Sequence, residues 1–174
     1  MEKKAQVWVE TVIYTLIGLA LIGLVLGIAT PKINEYRDRS VVEQSIESLN
    51  LFDSKIKEVL NAPGNKRIIE FRMKRGNLYF KPADELVLFE LEDSRSLFSE
   101  PGIPVQIGRI NVTTIEGAKR HKILMEINYN SYNMTFDGSD AEVKFTQTSV
   151  PYEFSIENKG FVGEKINIDV RENS

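Results

Sequence analysis

The sequence predicts an α+β protein: a long N-terminal helix, hydrophobic in its first half and kinked near Pro31, followed by an antiparallel all-β sandwich-like head. Three observations carry that expectation. Thr11 to Ala29 is a run of 19 uncharged, mostly apolar residues. Farther on, Val42, Ile46, Leu49, Phe52, Ile56 and Leu60 recur at steps of three and four, the period of an amphipathic helix. After Gly64 the grammar changes to short β-rich runs punctuated by Gly, Asn, Asp and Pro.

As a helix, Val7 to Ala29 is about 35 Å long, enough to cross a hydrocarbon core of roughly 30 Å. A secretory signal would have a shorter apolar region and an Ala-x-Ala-like site, whereas this run leads into Thr30-Pro31-Lys32-Ile33. The segment is therefore expected to be retained. Glu10, at its start, has two readings. It sits in the headgroup layer beside Trp8, as interfacial anchors do, or it meets a cation such as the free α-amino group of a neighbouring chain. Gly23 and Gly27 have the small-xxx-small spacing that lets helices approach closely, though glycine is also simply frequent in such helices. Lys3 and Lys4 favour a cytoplasmic N-terminus, but Lys32, Arg37 and Arg39 flank the other end, so charge alone leaves orientation open.

Lys4-Ala5-Gln6-Val7-Trp8-Val9-Glu10, with the apolar run directly behind it, resembles the class III signal of archaeal type IV pilins and archaellins. The resemblance implies a leader, residues 1–5, carrying Lys3, Lys4 and Ala5 and removed before Gln6 by a prepilin peptidase. It makes Glu10 the fifth residue of the mature chain, where that family carries its acid. Two positions depart from the family pattern: Ala5 stands where Gly is commoner, and Trp8 replaces the usual Ser. The implied organisation is a leader (1–5), a hydrophobic transmembrane or filament-core helix (6–30), an amphipathic continuation (31–62) and a β-rich head (63–174). The family also has a proline in or near this part of its helix, matching Pro31.

Pro31 lacks an N–H and should kink or briefly open the helix. Beyond it, a single continuous spine and an anchor followed by a separate helix are both compatible with the pattern. Asn61-Ala62-Pro63-Gly64-Asn65 ends the helix. Strands are expected at 67–74, 78–81, 86–92, 105–115, 122–129, 133–136, 142–147, 152–157 and 165–171. Turns are expected at Arg75-Gly76-Asn77, Pro101-Gly102, Glu116-Gly117-Ala118, Asp137-Gly138-Ser139 and Asn158-Lys159-Gly160. Alternation is cleanest over Ile166-Asn167-Ile168-Asp169-Val170.

The 174 residues leave room for one anchor and one compact domain. With no cysteine there is no disulfide framework and no thiolate site, and a formal charge of −3 gives no basic face for nucleic acid. The one histidine, His121, opens a strand within Lys119-Arg120-His121-Lys122 and reads as part of a solvated cationic edge. No zinc-protease, phosphate-loop or nucleophile-elbow motif is present. Asp137-Gly138-Ser139-Asp140 with Glu142 could hold calcium through hard oxygens, but a hairpin turn explains it more economically. The expectation is a non-enzyme with no catalytic residue, cofactor or metal. Asn111-Val112-Thr113 and Asn133-Met134-Thr135 fit the N-glycosylation pattern if the head is exported.

Together with the resemblance, these readings point to a surface-filament subunit that polymerises with itself through its helix, is made as a membrane precursor and carries any adhesive contact on its head. The alternative is a monomeric binding domain on an uncut membrane anchor.

Overall fold

The computed structural model describes residues 2–173, with side chains described from Val7 onward. One helix, α1, spans Glu2–Val59 and is not broken at Pro31. The opening expected at that proline is therefore absent. A missing Pro31 N–H removes a single rung, the one to the Gly27 carbonyl, and helical pairing resumes on both sides. The chain divides into two compact units, one ending at Arg37 and the other beginning at Asp38. The last part of α1 therefore belongs to the same unit as the strands.

In that second unit the helix buries Val42, Ile46, Leu49, Phe52, Ile56 and Val59. Its apolar stripe ends on Val59, with Leu60 only partly buried against the core, because α1 stops there. The Asn158 side chain donates to the Val59 carbonyl at 3.0 Å and that of Asn61 to the Glu58 carbonyl at 3.2 Å, satisfying acceptors that a helix end leaves open.

The strands are β1 (Lys66–Phe71), β2 (Asn77–Lys81), β3 (Leu86–Ser94), β4 (Val105–Ile107), β5 (Ile110–Ile115), β6 (His121–Asn128), β7 (Asn133–Phe136), β8 (Val143–Thr146), β9 (Tyr152–Val162) and β10 (Lys165–Asn173). They form a four-stranded sheet in the order β1-β9-β10-β7 and a six-stranded sheet in the order β4-β5-β6-β3-β2-β8. Neighbours pair antiparallel except β7 and β10, which run parallel because the chain crosses to the other sheet at β8 before it returns. The head is thus a β-sandwich with a helix in its core. Phe80 of β2 marks the meeting point: its ring lies 5.7 Å from Phe52 of the helix, 5.3 Å from Phe154 of β9 and 5.2 Å from Phe136 of β7. Tilted and edge-on rings at these spacings pack favourably beyond the area they bury.

Two strand expectations are corrected. Residues 105–115 are not one strand but the hairpin β4–β5, turned at Gly108-Arg109, where Gly108 has φ +63. Asn158-Lys159-Gly160 is not a turn, since β9 continues to Val162. There Lys159 is an extra residue opposite the Asn167–Ile168 step of β10, a bulge eased by Gly160 at φ +90. Asn158 is buried and tied to the helix end, which keeps the chain in the sheet until Gly163 reverses it.

Candidate assembly and anchoring helix

Within the first unit, every large apolar side chain from Val7 to Ile28 is exposed, from Val12 at 38% to Trp8 at 70% and Tyr14 at 72%. Exposure at all helix angles, not along one stripe, separates this segment from the amphipathic second half. A helix apolar on all sides is stable only in lipid or among other apolar helices. None of its membrane-length apolar window is buried. Its few hydroxyls do not oppose such an environment: Thr11 donates to the Val7 carbonyl at 2.9 Å, Thr15 to Thr11 at 2.8 Å and Thr30 to Leu26 at 2.7 Å. The long apolar N-terminal helix suits a membrane anchor or a signal sequence.

Glu10 is exposed near the start of this helix. At 100° per residue it shares a face with Tyr14, Ile17, Leu21 and Ile28, while Gly23 and Gly27 lie on the opposite side. A Cβ added to Gly23 or Gly27 would meet no atom within 4 Å, so that side offers open backbone to a neighbour. Lys3, Lys4, Ala5 and Gln6, the residues of the expected cleavage site, lie outside the described side chains.

The two sequons sit on the head and differ. Asn111 is exposed on β5, across from Gln106 and Glu126. Asn133 is half-buried on the edge strand β7, and its partner Thr135 is buried with its hydroxyl donating to Asp169 at 2.9 Å. His121 departs from the solvated edge expected of it: it is half-buried, and its Nδ1 is enclosed without a hydrogen-bond partner. Asp137 and Gly138 form a tight turn closed by Phe136 and Ser139, with the Gly138 N–H on Asp169 at 2.7 Å and Asp137 near Arg171 at 3.3 Å. Among the described residues no group of three His, Asp or Glu side chains is placed to hold a metal ion.

Two buried carboxylates of the helix escaped the sequence reading, as did Asp169 on β10. Asp38 accepts the Arg95 N–H at 2.8 Å and the Arg75 guanidinium, and Asp53 accepts Arg109 at 3.0 Å and Tyr129 at 3.2 Å. Both look like polar-face residues of the helix in sequence, and their partners come from distant strands and loops.

Fold and helix together define a β-sandwich head on a chain whose N-terminal helix is long and apolar enough to cross a membrane. No family model matches this chain, and no significant match was found among curated proteins or solved structures.

Proposed function

We propose that the chain is a structural subunit of an archaeal type IV pilus-like surface filament, non-enzymatic, made as a membrane precursor, clipped between Ala5 and Gln6 and assembled through its N-terminal helix. The observation that carries this reading is the apolar surface around the whole of residues 7–29 together with the acid at position 10. Once such a helix leaves the bilayer, its surface must be covered again, and copies of the same helix provide that cover. Glu10 then pairs with the new amine of Gln6 on a neighbouring subunit and sets the axial register, while Gly23 and Gly27 allow close approach. The β head forms the outer surface and carries any adhesive contact.

Intact mass and N-terminal peptide mapping of protein recovered from native cell surface test the proposal. It expects a chain beginning at Gln6; one beginning at Met1 or Glu2 would leave the single-pass anchored binding domain instead. As a second arm, Glu10→Ala should abolish filaments while leaving the head folded, and normal filaments from that variant would remove its registering role.

A further inference from the structure

We infer that the open edge of β1 is a self-complementary docking strand that pairs antiparallel with β1 of a second copy of this chain. β1 ends the four-stranded sheet, and β9 is its one strand neighbour among the described residues. The Asn65 carbonyl accepts the Asn158 N–H at 3.0 Å, and Lys66 stands opposite Glu157. Alternation then gives Arg67, Ile69 and Phe71 to β9, while Lys66, Ile68 and Glu70 aim their N–H and C=O groups outward. The Arg67 guanidinium donating to the Lys66 carbonyl at 2.9 Å fits this phase. Ile69 and Phe71 are buried, whereas Lys66, Ile68 and Glu70 are exposed, with Ile68 at 54%.

The same three residues therefore offer both the outward backbone groups and the exposed side chains, and their order is base, apolar, acid; the Lys66 carbonyl exchanges its Arg67 contact for the added strand. Turned about a two-fold axis through Ile68, this order matches itself: Lys66 faces the second copy's Glu70, Ile68 faces Ile68, and Glu70 faces Lys66. The backbone phase agrees, since all three pairs fall on hydrogen-bonded positions. Moving the axis to Lys66 or to Glu70 sets like charges against each other, and a one-residue slip turns the exposed side chains to the wrong face. Centring the pairing on Arg67 or Ile69 keeps the phase but sets Ile68 against Lys66 or Glu70 and forms neither ion pair, so the register through Ile68 is the one in which both charges are matched. Beside the edge runs an open groove walled by Ser48, Leu51 and Lys55 of the helix and by Ile68, Glu70 and Arg72, leaving room for an added strand. The contact is isologous and closes on a pair, so it adds a head-to-head link that does not propagate and does not depend on the filament reading.

The full-length chain in detergent micelles tests this. It contains no cysteine, so Ile68→Cys introduces a single thiol for a short bis-maleimide. Ile68→Cys should give cross-linked dimers well above those from Glu164→Cys, on the β9–β10 turn. Adding Lys66→Glu or Glu70→Lys alone should lower the dimer yield roughly tenfold, because each places two like-charged pairs across the axis. Both together should restore it. Dimer yield no higher than at Glu164→Cys, insensitivity to either single reversal, or failure of the double reversal to restore would each overturn the proposal.

Discussion

Asp53 is almost fully buried, yet both its oxygens are engaged: Lys57 lies at 2.6 Å, Arg109 at 3.0 Å and the Tyr129 hydroxyl at 3.2 Å. Arg109 also lies 5.0 Å over the Tyr129 ring and donates to the Asn128 carbonyl at 2.8 Å. Burial first, and the Asp53 charge second, push the Tyr129 phenol above its ordinary value of 10.0. The folded head therefore holds this proton where the unfolded chain releases it. Its contribution is complete below about pH 10 and is lost as pH rises beyond that. Tyr129→Phe should cost about 1 kcal/mol near neutral pH through the lost hydrogen bond, and should flatten the alkaline loss of stability. Urea midpoints at about pH 8 and about pH 11 check this; equal alkaline slopes in variant and parent would refute it. The two sequons give a second residue-level prediction. The folded head presents Asn111 on its surface, whereas the hydroxyl of Thr135 is committed to Asp169 inside it. Glycopeptide mapping of exported protein should find modification at Asn111 and not at Asn133, and the reverse pattern would contradict the difference drawn here.

At the scale of elements, the second half of α1 is part of the head's core. Phe52 is 1% exposed and packs on Phe80, whereas Leu51, one residue earlier, is 48% exposed. Phe52→Ala should destabilise the head by about 3–5 kcal/mol, and Leu51→Ala should stay within about 0.5 kcal/mol. Chemical denaturation followed by tryptophan-independent far-UV signal separates them; comparable losses would mean the stripe is not where the core sits. This stripe was legible in sequence because each step of three or four residues repeats a local geometric rule, and β10 was legible in the alternation of Ile166, Ile168 and Val170 for the same reason. The β4–β5 turn was not: residues 105–115 are β-prone almost throughout, and Gly108-Arg109 is a weak turn signal. The bulge at Lys159 hid behind turn-like residues, because what holds Asn158 in the sheet is the end of a helix 99 positions away. Asp38 and Asp53 give no sign of burial in the sequence for a related reason. Arg75 and Arg109, which make their burial tolerable, lie 37 and 56 positions along the chain, beyond any local pattern.

At the scale of the whole molecule, the sequence assigns two kinds of surface to two stretches of one chain. The core of the head begins at Val42 and is closed by its own strands, while residues 7–29 expose apolar side chains on every side. A lipid bilayer and a bundle of identical helices are both apolar surroundings that meet this demand, and a single charge at the middle of the segment would oppose both. Leu19 is 60% exposed and lies about two and a half turns after Glu10, too deep for a lysine to reach either end of the segment without distortion. Leu19→Lys should weaken membrane insertion by about 3 kcal/mol, enough to shift a marginal fraction of the protein out of the membrane and to block helix packing in any assembly. Alkaline extraction of membranes and a filament count measure the two effects. The urea midpoint of the head should not move, since the head's core contains no residue from this segment. Full membrane retention together with normal filaments would show that this apolar surface is not what places the protein, and would remove the ground for both the filament and the anchor.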